Sequence, residues 1–173
     1  MKEKGKRDLS STMEALIFSD SHGAYQRMQS AIRSHPDASH VLFLGDGLRE
    51  IESLEKEFPN RIFLSVRGNC DGWFSNLDTP TERLVTLGGI SVLMMHGHTH
   101  GVKGGYGVAA SYAASQNATV LLFGHTHLPY EGYLDTREGR VHLFNPGSIG
   151  AASYGVLVLK NNGYLLSHGT LSK

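Results

Sequence analysis

The chain has 173 residues, enough for one domain with a substantial core and too few for two ordinary ones. A hydrophobic fraction of 40%, a charged fraction of 18% and a formal net charge of zero describe a globular protein with no bulk attraction to nucleic acid. No apolar run approaches the roughly 20 residues that span a bilayer, so no membrane association is expected.

Residues 1–12, MKEKGKRDLSST, carry four basic and two acidic side chains with no apolar stretch of secretory type behind them. We expect a disordered extension there, a single domain over 13–173 and a cytoplasmic location. The one cysteine, Cys70, has no internal disulfide partner, which agrees with a reducing compartment. EALIFS then reads as a buried first strand. After DSHG, the stretch AYQRMQSAIRSH places Met28, Ala31 and Ile32 at helical spacing and stops before Pro36. HVLFL is a second strand, LREIESLEKEF a second helix with Leu48, Ile51, Leu54 and Phe58 on its apolar face, and IFLSV a third strand. Strands alternating with helices predict a parallel sheet covered by helices.

The middle of the chain changes character. ERLVTL and ISVLMM flank Gly88-Gly89 as a hairpin would, which makes the sheet mixed. GYGVAASYAASQNA predicts a helix of small residues suited to close packing, followed by the buried strand TVLLF. Two more hairpins follow, YEGYLD with RVHLF around TREG, and GVLVLK with YLLSHG around Asn162-Gly163. With no internal repeat or linker, the fold class is α/β in one domain.

Five apolar runs end on short polar clusters: FSDSHG with Asp20 and His22, FLGDG with Asp46, VRGNCD with Asn69 and Asp71, MMHGHTHG with His96, His98 and His100, and FGHTHLP with His125 and His127. Ten histidines and 21 glycines in one short chain suit a metal site built from loops. In an α/β sheet such clusters converge at the carboxyl edge, where ligands bind. Alternate residues of an extended chain project to one side, so Asp20 with His22, or His125 with His127, would address one point. Oxygen and imidazole donors without thiolate favour Mn, Fe, Co, Ni or Zn over a cysteine-bound structural zinc. There are more donors than one tetrahedral ion uses, and the isolated carboxylate of Asp46, between two glycines, suits a bridge between two ions. Such a pair hydrolyses phosphate esters by activating water and stabilising charge on the attacking and leaving oxygens. Two divalent ions outweigh Asp20, Asp46 and a bridging hydroxide, leaving positive charge to attract an anionic substrate.

The order D-x-H, G-D, G-N, H, G-H-x-H resembles the calcineurin-like metallophosphoesterase superfamily from about Met13 to the C-terminus. The GNCD, GHTH and NPGS wording is similar to its small single-domain prokaryotic phosphodiesterases. The resemblance implies two mixed β-sheets packed as a sandwich and flanked by helices. It implies that Asp20, His22 and His127 hold one divalent ion, Asn69, His96 and His125 a second, and that Asp46 bridges them. Manganese is the first expectation for the metal, with Fe, Zn, Ni, Co and Mg as alternatives, and a small phosphate ester is the expected substrate. Many members carry histidine directly after the asparagine, where it protonates the leaving group; here that position is Cys70. The catalytic groups expected besides the metal ligands are therefore Asn69 and His98, two residues from His96, with activated esters such as nitrophenyl diesters turned over best. A phosphomonoesterase or nucleotide phosphatase on the same site, and a non-catalytic metal-binding scaffold, are the competing readings. The scaffold is disfavoured because all seven positions hold metal-competent residues. The resemblance leaves a homodimer or homotetramer open. His35, His40, His142 and His168 fall outside the pattern and read as structural, Asp71 as a support behind the ligands or a turn former, and NPGS equally as a turn or a contact to the metal site. GVKGGYG lacks the ending of a nucleotide P-loop.

Overall fold

A computed structural model describes residues 12–72, 78–161 and 163–172. The extension expected at the N-terminus falls, up to Ser11, outside the described residues, as does Asn162 of the last predicted turn. In the first sheet β1 (Met13–Phe18), β2 (Ala38–Phe43) and β3 (Ile62–Ser65) run parallel, connected by α1 (Tyr25–Ser34) and α2 (Leu48–Glu57). The second sheet takes β4 (Glu82–Leu87), β5 (Ile90–Met95), β6 (Val120–Leu122), β7 (Pro129–Thr136) and β8 (Gly139–Pro146), in the order β4-β5-β6-β8-β7. There β5, β6 and β8 are parallel while β4 and β7 lie antiparallel at the edges. The chain then returns to the first sheet, where β9 (Ser153–Lys160) pairs antiparallel with β1, and β10 (Gly163–Thr170) with β9. Both sheets are mixed, as the resemblance implied.

The layers follow from side-chain alternation. Along β1, Ala15 and Ile17 enter the core between the sheets, with Val92 and Met94 of β5 and Val120 and Leu122 of β6. Leu16 and Phe18 turn the other way, onto Met28, Ala31 and Ile32 of α1 and Ile51 and Leu54 of α2. The second sheet is covered on its outer face by α3 (Gly107–Ser115), whose Ala109, Ala110, Ala113 and Ala114 pack against Leu121, Phe123 and Leu143. The result is helix, sheet, sheet, helix. Among the described residues no helix is long and apolar enough to cross a membrane.

The histidines outside the motif pattern are held by ordinary contacts. His35 lies between Glu14 and Tyr154, His142 between Glu131 and Tyr164, and His40 beside Ser39. His168 bonds the carbonyl of Asn145 and stacks on Phe144.

Candidate metal centre

The polar clusters follow the carboxyl ends of β1, β2, β3, β5 and β6, and backbone bonds between loops draw these ends together. Asp20 N–H donates to the Gly45 carbonyl (3.0 Å), Ser21 N–H to that of Asp46 (3.0 Å), and Gly124 N–H to that of His96 (3.0 Å). Close approach explains the glycine at Gly45. A Cβ there would lie 2.6 Å from the Gly68 nitrogen and 2.9 Å from His96 Nδ1.

Asp20, fully buried, stands at the centre. Its Oδ2 accepts from Ser19 Oγ (2.6 Å) and the His125 N–H (3.0 Å), while its buried Oδ1 has no hydrogen-bond partner. Around that oxygen lie His127 Nε2 at 3.2 Å, His96 Nε2 at 3.8 Å and His22 Nε2 at 3.9 Å. Asp46 Oδ1 accepts from the Cys70 N–H (2.8 Å), and its Oδ2 lies 3.2 Å from His96 Nε2 and 4.0 Å from His22 Nε2. Asn69 Oδ1 is 3.0 Å from His96 Nε2. His96 Nδ1 donates to the Leu44 carbonyl at 2.7 Å, so in the neutral ring Nε2 carries the lone pair on the side of both carboxylates. Three groups, Asp20-His22-His127, Asp20-Asp46-His96 and His22-Asp46-Cys70, each bring their donor atoms within 4.8 Å of one another. An unpartnered buried carboxylate oxygen among imidazole nitrogens is costly in a metal-free protein and is satisfied by a cation, so the residues present fit divalent ions.

Burial by itself would raise the Asp46 pKa, but the His96 contact and the Cys70 N–H hold it well below the usual carboxylate range. The reverse applies at His96, where burial favours the neutral ring and the two carboxylates outweigh it, so its pKa is raised. Burial, together with the charge of His96, lowers the pKa of both His98 and His125. Burial and then Asp46 raise the Cys70 pKa, which keeps this exposed residue a thiol at neutral pH.

Of the sequence-derived set, Asp20, His22, Asp46, Asn69, His96 and His127 meet at polar-atom contacts. His125 and His98 join through their rings, with centroids 5.0 Å and 5.4 Å from that of His96. His98 lies in a short 3-10 turn, and its Nδ1 is buried without a hydrogen-bond partner. The expectation about backbone shape is overturned. Asp20 (φ 53°), His22 (φ 43°), His125 (φ 67°) and His127 (φ 62°) are all left-handed, as is Asp46 (φ 63°), and none belongs to an extended segment. The strands end before these residues and the chain must turn sharply. Such conformations cost about 1–2 kcal/mol each, least for Asp and His, and here surrounding loop bonds hold them.

The braces around the cluster are partly ones the sequence left open. Asp71 is buried and accepts N–H bonds from Asp46, Gly47, Leu48 and Gly68. The NPGS segment does more than turn. Asn145 Nδ2 donates to the Gly124 carbonyl and Thr126 Oγ1, both at 3.0 Å, and Ser148 Oγ donates to the Asp20 carbonyl at 2.7 Å. Ser19, which orients Asp20, was missed; its only sequence signal is a serine directly preceding the aspartate.

The family model of the calcineurin-like phosphoesterase superfamily domain matches residues 13–162. "Probable metallophosphoesterase YsnB" of Bacillus subtilis is 33% identical, over 87% of this chain and 86% of its own. Phosphodiesterase YfcE of Escherichia coli K12 is 27% identical over 84% and 87%. A Streptococcus pneumoniae protein described as a predicted phosphoesterase has the same fold, with TM-score 0.72 and 21% identity over 92% of this chain and 90% of that one. Vacuolar protein sorting 29 of Cryptosporidium parvum also shares it, at TM-score 0.67 and 16% identity over 94% and 99%.

Proposed function

Since this chain belongs to the calcineurin-like phosphoesterase superfamily and is a metallophosphoesterase, we propose that it hydrolyses small phosphate diesters, with residues 13–173 as the catalytic unit. In this reading Asp20, His22, Asp46, Asn69, His96, His125 and His127 would hold two divalent ions, with Asp46 serving both. The observation that carries it is the buried Asp20 Oδ1, unpartnered and ringed by three imidazole nitrogens. Such ions, manganese first among them, would lower the pKa of water toward about 7 and neutralise charge on the phosphoryl group.

The chain's own groups complete the chemistry. Ser19 and the His125 N–H hold one oxygen of Asp20, which aims the other at the imidazoles. Asn69 Oδ1 and His96 Nε2, 3.0 Å apart, present two acceptor atoms to one position, and the Asn69 amide, 3.4 Å from Cys70 Sγ, has an N–H to donate toward a phosphoryl oxygen. His98, with an unpartnered buried Nδ1 beside His96 and His125, is the group that hydrogen-bonds the departing oxygen. No group of strong acidity stands where other members carry histidine, so leaving groups of low pKa are favoured. The free thiol of Cys70 supports a cytoplasmic location.

The phosphodiesterase name of a relative sharing 27% identity supports diesters over monoesters. The test is the manganese-loaded protein on mono- and bis-nitrophenyl phosphate. Faster turnover of the diester is expected, and a strong preference for the monoester overturns the assignment in favour of a phosphatase. Bound metal with no hydrolysis of either ester would instead point to a scaffold.

A further inference from the structure

Two clefts share His22 and Gly23 in their walls. One, of 420 Å³, is walled by Asp46, Leu48, Arg49, Glu50 and Cys70. The other, of 830 Å³, is walled by Tyr25, Gln26, Arg27, His127, Ser148 and Gly150. We propose that the two clefts seat the two ester arms of the substrate, and that the larger one, through Arg27, selects an arm carrying an anionic group of its own, a terminal phosphate in the simplest case. This rests on the diesterase reading above and names the substrate class for the same site.

Geometry supplies the first part. The smaller cleft includes Asp46 and the larger includes His127, so the cluster proposed to meet the phosphate lies at the junction of the two. The ester oxygens of a tetrahedral phosphorus diverge, and a diester held at that junction sends one arm to each cleft. A monoester leaves one cleft unused. Both volumes fall in the range of about 300–1,000 Å³ usual for small-molecule sites.

Charge supplies the second part. Among the described residues no carboxylate lines the larger cleft, and Arg27 is its one permanently charged side chain. Arg33, on the same helix, is tied to Glu57 at 2.8 Å, whereas Arg27 has no carboxylate partner among the described residues. Its backbone is fixed in the first turn of α1 by a bond to the Ala24 carbonyl (3.2 Å), so the guanidinium starts from a rigid base. The smaller cleft is lined by Arg49 together with the carboxylates of Asp46, Glu50 and Asp71, a mixed wall that favours an anion less.

The experiment compares a dinucleotide bearing a terminal 5′-phosphate with its unphosphorylated counterpart, on the manganese-loaded wild type and the Arg27→Gln and Arg27→Glu variants. We expect wild-type kcat/KM to favour the phosphorylated dinucleotide by roughly five-fold, the scale of an exposed ion pair, and the preference to reside in KM. Arg27→Gln brings the ratio toward one and Arg27→Glu below one, with thermal unfolding showing both variants folded. A wild-type ratio of one, or a ratio that survives Arg27→Glu, overturns the subsite. Failure to cleave both dinucleotides and bis-nitrophenyl phosphate overturns the diesterase reading and the subsite with it. Cleavage with no discrimination removes the subsite alone.

Discussion

Asp71 accepts four backbone N–H groups around the cluster, and its replacement should be among the most damaging in the molecule. Its Oδ2 accepts the N–H groups of Asp46 (2.7 Å) and Gly68 (2.8 Å), and its Oδ1 those of Gly47 (2.7 Å) and Leu48 (3.0 Å). One carboxylate thus joins the loop after β2, the first turn of α2 and the loop after β3. Asp71→Asn keeps the shape but turns one oxygen into a donor, so two backbone N–H groups lose their acceptor. Hydrogen bonds to a charged group contribute about 1.5–3 kcal/mol each, which gives roughly 3–6 kcal/mol before relaxation. We expect a loss of about 3 kcal/mol, a large share of a domain stability of about 5–15 kcal/mol. Urea unfolding with chelator present measures it without any contribution from metal, as a lower midpoint at an unchanged slope. A loss below about 1 kcal/mol would refute the assignment of those four bonds as the brace.

At Gly68 a Cβ would lie 2.1 Å from Asp46 Oδ1, so Gly68→Ala should lower metal content and activity together. Gly107→Ala, with nothing within 4 Å of the added methyl, should leave both unchanged, and elemental analysis with a nitrophenyl diester assay separates the two outcomes. In the metal-free protein the depressed Asp46 pKa adds stability above the unfolded carboxylate pKa of about 3.9, lost as pH falls through the native value. The raised His96 pKa adds stability below about 6.5, lost as pH rises through its native value. Because His96 must surrender its proton to bind metal, manganese affinity by calorimetry should climb from pH 6 to pH 8, and a flat profile would count against His96 as a ligand. Cys70→His should raise turnover of alkyl diesters by up to about 10²-fold while changing nitrophenyl diesters little. Equal wild-type turnover of the two ester types would contradict the missing-acid explanation.

Much of the fold is legible because its signals are local. The hairpins β4-β5 and β7-β8 form around Gly88-Gly89 and the TREG turn, and α1 and α2 bury Met28, Ala31, Ile32, Leu48, Ile51 and Leu54 as their spacing selects, while Phe58 falls half-buried just past the end of α2. What the residues alone did not show is the division into two sheets, which depends on β9 returning to pair with β1 and on β6 lying parallel to β8. The family resemblance supplied that division. Metal-type side chains were legible because each follows an apolar run. Their backbone shape was not, since left-handed φ at Asp20, His22, His125 and His127 is imposed by neighbouring loops. The supporting roles of Asp71 and NPGS were among the sequence readings, but the groups they hold were hidden for a related reason. Asp71 and Asn145 bind peptide groups of distant segments, and a peptide acceptor or donor looks the same at every position in a sequence.

The most direct test is a crystal structure of the manganese-loaded protein with anomalous scattering, read beside the metal content of Asp46→Asn. Two anomalous peaks flanking the Asp46 carboxylate, with at least one ion lost from the variant, are the predicted result. Protein that binds no metal there, or an Asp46→Asn variant with full metal content and full activity, would contradict it.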